Sequence, residues 1–179
     1  MLEISNSVLL VVDVQGRLAE AMYEKEELFK NIERIIKGAR VLDVPIIWAE
    51  QNPDGLGGTT PRIAACLEGL TPIKKNSFSC CGNDEFMAKL KETGRNQILI
   101  SGIEAHICIY QTTAQLIDDG YEVEVVTDAV SSRTEWNKDI GLNKMAEAGA
   151  SLTCVETALF ELLKVSGGDK FKEILKIVK

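Results

Sequence analysis

The stretch Ser7-Val-Leu-Leu-Val-Val-Asp13 is a nearly continuous run of aliphatic residues that ends in a carboxylate. Apolar side chains occupy both faces of this run, which is typical of a parallel strand covered by helices on both sides. The carboxylate falls where such a strand would end. The stretch therefore predicts the buried first strand of a parallel sheet, with Asp13 at its carboxyl end.

Strand-like and helix-like segments alternate from this run to the C-terminus. Strand-like segments recur at 45–49, 72–75, 97–101, 121–127 and 151–155. Helical spacing of apolar residues predicts helices at 17–41, 84–93, 138–148 and 157–164, and another that contains Ile107 and ends before Gly120. This alternation predicts βαβ units with right-handed crossovers. We therefore expect a Rossmann-like α/β fold in three layers, α/β/α, with a six-stranded, mostly parallel sheet.

Length and composition are those of an ordinary globular chain. The 179 residues fit one domain, 1–179, better than two, and 45% of them are hydrophobic. We expect a core at about 5–165 and a helical tail at 168–179 that packs on the domain or on a neighbouring subunit. The segment 51–61 contains two prolines and three glycines and is expected to be a long polar loop.

Net charge and the lengths of the apolar runs argue against nucleic acids and membranes as partners. Acidic residues number 27 against 20 basic ones, so the net charge of −7 repels phosphate backbones and predicts no nucleic acid partner. The longest apolar run, Val8–Val12, is far shorter than the roughly 20 residues of a membrane span, so no membrane partner is expected. With no signal-peptide pattern, we expect a cytoplasmic protein that binds a small molecule.

Cysteine and histidine usage argues against disulfides and metals. The five cysteines form no C-x-x-C pair, and His106 is the single histidine. This composition predicts free thiols and no metal site. No glycine-rich phosphate-binding motif follows a predicted strand, so no cofactor is expected.

Three residues of complementary chemistry fall at or just beyond the carboxyl ends of predicted strands. Asp13 ends the first strand, Lys75 lies just past the third, and Cys108 follows the fourth. Ligands of open α/β sheets bind at that edge. A thiol near a lysine and a helix N-terminus gains thiolate character, and a carboxylate can carry its proton. The alternatives are a helix cap for Asp13, a solvated charge for Lys75 and an inert core thiol for Cys108.

Four segments in the same order resemble the isochorismatase-like cysteine hydrolases. They are Leu10-Val-Val-Asp13-Val-Gln15, Lys75-Asn-Ser-Phe78-Ser79, Gly102-Ile-Glu-Ala-His-Ile-Cys108 and Thr127-Asp-Ala-Val-Ser-Ser-Arg133. The resemblance covers about residues 5–165 and is closest to small isochorismatase-domain proteins of unassigned substrate. It implies that Cys108 is the nucleophile, Asp13 the general base and acid, and Lys75 the third member of a catalytic triad.

The resemblance also bears on the oxyanion site and on metals. It implies a cis peptide between Ile103 and Glu104, and it places the amides of Glu104 and Cys108 at a developing oxyanion. Nicotinamidases of this superfamily bind a metal through histidines after the second strand. The corresponding stretch here, Trp48-Ala-Glu-Gln-Asn-Pro53, has no histidine. We therefore expect no metal.

The implied activity is hydrolysis of a C–N bond in a small amide through a cysteine thioester. The alternatives are vinyl-ether hydrolysis by Asp13 and Lys75 with Cys108 as a bystander, or a non-catalytic interaction protein. A homo-oligomer is expected, with Trp136 and Ile140 as interface candidates. Candidates for the pocket wall, some of which have core packing as the alternative, are Gln15, Glu50, Gln51, Phe78, Cys80, Cys81, Tyr110 and Trp136.

Overall fold

The first apolar run forms β1 (Ser7–Val12), near the centre of a six-stranded sheet in the computed structural model, which describes residues 1–179. The other strands are β2 (Ile46–Gln51), β3 (Ile73–Lys75), β4 (Gln97–Ile103), β5 (Glu122–Ser131) and β6 (Ser151–Thr153). All neighbours pair in parallel, in the order β3-β2-β1-β4-β5-β6. The predicted six-stranded parallel sheet is confirmed.

Nine α-helices connect and cover the strands. They are α1 (Gly16–Glu20), α2 (Lys25–Val41), α3 (Pro53–Leu56), α4 (Pro61–Cys66), α5 (Asp84–Glu92), α6 (Tyr110–Asp118), α7 (Glu135–Glu147), α8 (Val155–Leu163) and α9 (Gly168–Val178). A 3-10 turn at Cys80–Gly82 precedes α5, and a π-helical turn at Ala105–Ile109 leads into α6. None of these helices combines the length and apolar character that a bilayer crossing requires.

Two apolar cores lie on opposite faces of the sheet. Successive side chains of a strand point to opposite faces, and β1 follows this rule. Leu9 and Val11 pack in the core that includes α2, α4, α8 and α9. Leu10 and Val12 pack in the core that includes α5, α6 and the π-helical turn. The predicted three-layer arrangement is confirmed.

The predicted helix at 17–41 is wrong as a single element. It divides into α1 and α2, with residues 21–24 between them. The amide of Tyr23 donates a hydrogen bond of 2.8 Å to the carbonyl of Ser132, and Glu24 adopts a left-handed conformation with φ of +50°. A tertiary bond to the end of β5 therefore replaces a bond within the helix. The segment expected to be a polar loop, 51–61, contains the short α3.

The C-terminal helix α9 packs against its own domain. Ile174 is fully buried in the same core as α2 and α8, and the Arg34 guanidinium donates a 3.1 Å hydrogen bond to the carbonyl of Ile177. Of the two expected positions for the tail, the structure has the intramolecular one.

The strand order determines where a ligand site can lie. The chain proceeds from β1 outward to β2 and β3, then returns to β4 on the other side of β1 and proceeds to β5 and β6. The strand order therefore reverses between β1 and β4. Crevices in open α/β sheets form at the carboxyl ends of the two strands at this reversal.

Candidate active site

Asp13 lies directly after β1, at the strand-order reversal. Its amide donates a 3.0 Å hydrogen bond to the carbonyl of Ala49 on β2, and its backbone has a φ of +57°. Non-glycine residues rarely adopt this left-handed conformation, although aspartate does so more often than most. The side chain is buried. A tight backbone turn therefore holds a carboxylate inside the protein at the edge of the sheet.

Lys75, the last residue of β3, is a buried ammonium with a full set of acceptors. Its Nζ donates to Asp13 Oδ2 at 2.7 Å and to Gln51 Oε1 at 2.8 Å. The carbonyls of Phe78 and Ser77 lie at 3.0 and 3.3 Å. The expected alternative of a solvated charge is wrong for Lys75, while its neighbour Lys74 is exposed. The three N–H bonds of Lys75 are shared among four oxygens.

Cys108 lies in the π-helical turn that follows β4, and it is buried. Burial raises the pKa of its thiol well above the ordinary value, and the nearby Asp13 charge raises this pKa further, while Lys75 opposes both effects. The effect of Lys75 on the thiol thus has the expected direction, but it is smaller than the combined effect of burial and Asp13. Burial dominates because an apolar environment disfavours the charged form.

The Asp13 carboxylate is the acceptor available to that thiol. Burial raises the pKa of Asp13, and Lys75 opposes this rise through its charge and its hydrogen bond. The hydrogen-bonding influence of the Cys108 thiol also lowers the pKa of Asp13. Oxygen Oδ1 of Asp13 is buried and makes no hydrogen bond of normal geometry. The resting site is therefore a neutral thiol beside a carboxylate that is paired with an ammonium.

A cavity of about 90 Å³ brings these groups into contact with one small space. Asp13 and Cys108 line it, and Lys75 lies behind Asp13. The peptide bond between Ile103 and Glu104 is cis. The remaining lining residues are Leu18, Gln51, Leu56, Phe78, Ile103, Glu104 and Ile107.

Two predicted wall residues support the cavity from behind. Gln15 is fully buried, and its amide bonds both the N–H and the carbonyl of Gln51, at 2.6 and 3.0 Å, and the carbonyl of Gly57 at 2.7 Å. The Glu50 carboxylate accepts two hydrogen bonds from Thr59, at 2.7 and 2.8 Å. Neither residue lines the cavity, which corrects the prediction. Both hold the segment that follows β2.

The other misplaced candidates lie on α6, α7 and the 3-10 turn. The Tyr110 ring packs under the Lys144 ammonium, 4.8 Å from the ring centroid, and Trp136 is 74% exposed. Cys80 is fully buried, and its amide donates to Thr112 Oγ1 at 2.9 Å. Neither these residues nor Cys81 line the cavity, because their elements direct them to the core or to the surface.

Residue patterns alone did not identify Leu18, Leu56 and Ile107 as lining residues. Leu18 and Ile107 follow the apolar periodicity of helices, which predicts core packing equally well. The sequence did offer a hint for Leu56, because an apolar residue between two glycines of a polar segment is a candidate for contact with a ligand. A partner of Glu104 was also missed: the guanidinium Nε of Arg133 lies 2.9 Å from Glu104 Oε1.

The arrangement provides a nucleophile, a base and a charge partner for the base. A thiol proton can move to Asp13 when a carbonyl carbon enters the cavity, and Lys75 stabilises the carboxylate before and after that transfer. The chain has no cluster of three or more His, Cys, Asp or Glu side chains placed to hold a metal ion.

Known proteins share both the sequence and the fold. The family model of the isochorismatase domain matches residues 7–157. Isochorismatase domain-containing protein 2 of Danio rerio is 35% identical over 178 residues, 99% of this chain and 89% of that protein. The structure of MAR1 ribonuclease from Caenorhabditis elegans is 38% identical, with a TM-score of 0.92, over 99% of this chain and 91% of that one.

A further solved structure shows the same fold at lower identity. The YcaC gene product of Escherichia coli, described as an octameric hydrolase of unknown specificity, has a TM-score of 0.92 at 23% identity. The match covers 98% of this chain and 88% of that one. The resemblance seen in the sequence motifs is thus confirmed over nearly the whole length, and the chain belongs to the isochorismatase family.

Proposed function

We propose that this chain is a cysteine hydrolase that cleaves the C–N bond of a small amide through a thioester on Cys108. The observation that carries the proposal is the placement of Cys108 and Asp13 on one cavity, with Lys75 2.7 Å from Asp13. A nucleophile next to a base that a third group holds is the arrangement on which covalent hydrolases depend.

In the first half of the reaction, Asp13 accepts the thiol proton while the Cys108 sulfur attacks the amide carbonyl carbon. The tetrahedral intermediate then breaks its C–N bond. The proton moves from Asp13 to the departing nitrogen, so the amine leaves neutral and the acyl group remains on sulfur. The free oxygen Oδ1 of Asp13 supports this role, because it has no competing hydrogen bond.

In the second half, water attacks the thioester carbonyl while Asp13 accepts one of its protons. The carbon–sulfur bond breaks, the acid leaves, and the proton on Asp13 returns to sulfur. Lys75 keeps Asp13 ionised between these transfers, since its charge opposes the effect of burial on the Asp13 pKa. We assign the backbone amides of Glu104 and Cys108 to the carbonyl oxygen, where such donors typically contribute about 10²–10³-fold to the rate.

The dimensions of the cavity support a small substrate. A volume of about 90 Å³ with mainly apolar walls accommodates a short acyl group better than a polymer. As parts of the same proposal, we expect a homo-oligomer, as in the octameric YcaC protein, with the exposed Trp136 and Ile140 as interface candidates. The five free thiols support a reducing, cytoplasmic location.

A second candidate is non-amide hydrolysis, such as vinyl-ether cleavage, by Asp13 and Lys75 without the thiol. The observation that favours it is the raised pKa of Cys108, which keeps the thiol neutral at rest. The Asp13–Lys75 pair is also complete without Cys108. The two candidates differ in whether the sulfur forms a bond to the substrate.

Turnover of a panel of small amides by the wild type, Cys108→Ala and Cys154→Ala tests the proposal. We expect Cys108→Ala to lose turnover and Cys154→Ala, altered at a half-buried thiol before α8, to keep it. Rapid acid quenching and peptide mass spectrometry should find the acyl mass on Cys108. Full turnover by Cys108→Ala would replace the proposal with the second candidate.

A further inference from the structure

The polar side chains around the cavity differ sharply in how many hydrogen-bonding atoms they leave free. The nearest cation, Lys75, has three N–H bonds and four acceptors within 3.3 Å. It therefore has no donor to offer to a ligand. Gln51 uses its Oε1 for Lys75 and one N–H for the carbonyl of Asn76, at 2.9 Å, so it keeps a single neutral N–H.

The free side-chain atoms that carry charge are acceptors. Asp13 Oδ1 is buried without a hydrogen bond. Glu104 lines the cavity, and its carboxylate receives one hydrogen bond, from Arg133 to Oε1 at 2.9 Å, which leaves Oε2 without a partner in the chain. Asp13 Oδ1 is the acceptor for the Cys108 thiol, and Glu104 Oε2 can accept from an N–H group of a ligand.

The two cations that pair with these carboxylates, Lys75 and Arg133, do not line the cavity. The Arg133 side chain is 55% exposed. The rest of the wall is largely aliphatic, with Leu18, Leu56 and Ile107. An anionic ligand group would thus lose its water without gaining a cation or a charged donor, which is costly.

The chemistry at Cys108 adds to this preference. Asp13 and burial both raise the pKa of the thiol. A negative charge on the ligand, added to that of Asp13, would raise the pKa of the thiol further, because like charges disfavour ionisation. A positive charge on the ligand would favour it.

We propose that this cavity selects uncharged or cationic amides and rejects acyl compounds that carry a carboxylate, sulfonate or phosphate. This inference rests on the proposed function and names its substrate class. Primary and secondary amides and ammonium groups carry N–H bonds, and Glu104 Oε2 can accept a hydrogen bond from them.

Thiol reagents that differ in charge test the selection without a known substrate, and the charge variants below separate the effect of charge from that of size. The probes are methyl, 2-aminoethyl and 2-sulfonatoethyl methanethiosulfonate, which are neutral, cationic and anionic. In each case the Cys108 thiolate attacks the reagent sulfur, a disulfide forms, and methanesulfinate leaves. Labelling rates at Cys108 are measured by peptide mass spectrometry and divided by the rates with N-acetylcysteinamide, a neutral thiol. We expect the normalised cationic rate to exceed the anionic rate by at least about tenfold.

Three charge variants assign the selection to the cavity. Glu104→Gln keeps the size of the side chain and should reduce the cationic-to-anionic ratio severalfold. Arg133→Gln removes the cation that pairs with Glu104 and should raise the ratio. Glu92→Gln removes one exposed charge at the end of α5, near the opposite edge of the sheet, and should leave the ratio unchanged. Because Arg133 is largely exposed, its variant provides a second test should Glu104→Gln not fold.

The outcomes separate the two proposals. A ratio that falls in Glu104→Gln, rises in Arg133→Gln and stays constant in Glu92→Gln supports the inference. Equal normalised rates, or faster labelling by the anionic reagent, overturn the charge selection and leave Cys108 as nucleophile. Failure of even the neutral reagent to label Cys108 while turnover persists overturns the proposed function and the selection with it.

Discussion

The Lys75 ammonium lies 2.7 Å from Asp13 Oδ2, and the two side chains are only 1% and 2% exposed. Removing either charge from water costs several kcal/mol, and the partner and additional hydrogen bonds must offset this cost. Lys75 donates such additional bonds to Gln51 Oε1 and to two backbone carbonyls. Loss of either member should therefore lower the unfolding free energy of the protein.

Replacement of Lys75 by methionine should destabilise the fold. Lys75→Met leaves the Asp13 carboxylate buried without its cation, which typically costs about 3–5 kcal/mol of unfolding free energy. Lys74→Met, at the exposed neighbouring position, should change it by less than about 0.5 kcal/mol. Urea unfolding at pH 7 measures both. Equal losses in the two variants would contradict a special role for the buried pair.

The loss in Lys75→Met should also depend on pH. Without Lys75, the effect of burial on the Asp13 pKa is opposed only by hydrogen bonds with Cys108 and the Gln51 backbone, so the pKa rises further above the value of the unfolded chain. The folded state then binds a proton that the unfolded state releases, so unfolding free energy falls as pH rises. We expect a larger loss at pH 8 than at pH 5. A loss that does not vary with pH would point to packing rather than charge.

The pH profile of Cys108 alkylation should move in opposite directions in two variants. Asp13 raises the pKa of the thiol and Lys75 lowers it. Asp13→Asn should therefore shift the midpoint of iodoacetamide labelling to lower pH, while Lys75→Met shifts it to higher pH. Asp13→Asn should nevertheless lose at least about 10²-fold in turnover, because it removes the general base. Labelling of Cys154 in the same digests serves as the control.

Cys80 should make the protein less stable in alkaline solution. Burial raises the pKa of this fully buried thiol from 9.0 to about 12. Between these values the unfolded chain loses the proton first, so the unfolding free energy falls with rising pH by about 1.4 kcal/mol per pH unit. Cys80→Ala should remove this part of the slope in urea unfolding between pH 9 and 10.5 under reducing conditions. Cys154→Ala, at a half-buried thiol, should keep the slope.

Gly141 of α7 should not tolerate a methyl group, although alanine favours helices by about 1 kcal/mol. A Cβ there would lie 2.6 Å from the carbonyl carbon of Ala105 and 2.7 Å from the amide nitrogen of His106. Both atoms belong to the backbone of the turn that carries Cys108. We expect Gly141→Ala to lose about 1–3 kcal/mol and to label more slowly at Cys108. Gly167→Ala, with no neighbour within 4 Å, is the control.

Chelation should leave the activity intact. The cavity contains the carboxylates of Asp13 and Glu104, and each has an oxygen engaged by a protein cation. Dialysis against EDTA should therefore change neither turnover nor the unfolding midpoint. Loss of turnover that zinc or manganese restores would contradict the thiol mechanism as written.

The sequence by itself determined the fold class and the place of the three central residues. Apolar runs and helical periodicity are local properties, so they identified all six strands and most helices. Right-handed crossovers bring the carboxyl ends of parallel strands to one edge, which was sufficient to predict that Asp13, Lys75 and Cys108 share that edge. The family motifs around them added the expected roles.

Only the tertiary structure decided which side chains line the cavity and in which direction their pKa values are shifted. Gln15 and Gln51 both lie at or just after the ends of strands that end at the site, and the sequence predicted both as wall residues. Gln51 lines the cavity, whereas the buried amide of Gln15 bonds backbone groups of Gln51 and Gly57. The division of the helix at 17–41 follows from the bond between Tyr23 and Ser132, which are 109 residues apart. The sign of the Cys108 pKa shift depends on burial by every element that packs around the thiol. Sequence periodicity carries no information on such contacts between distant segments, because each depends on how whole elements pack together.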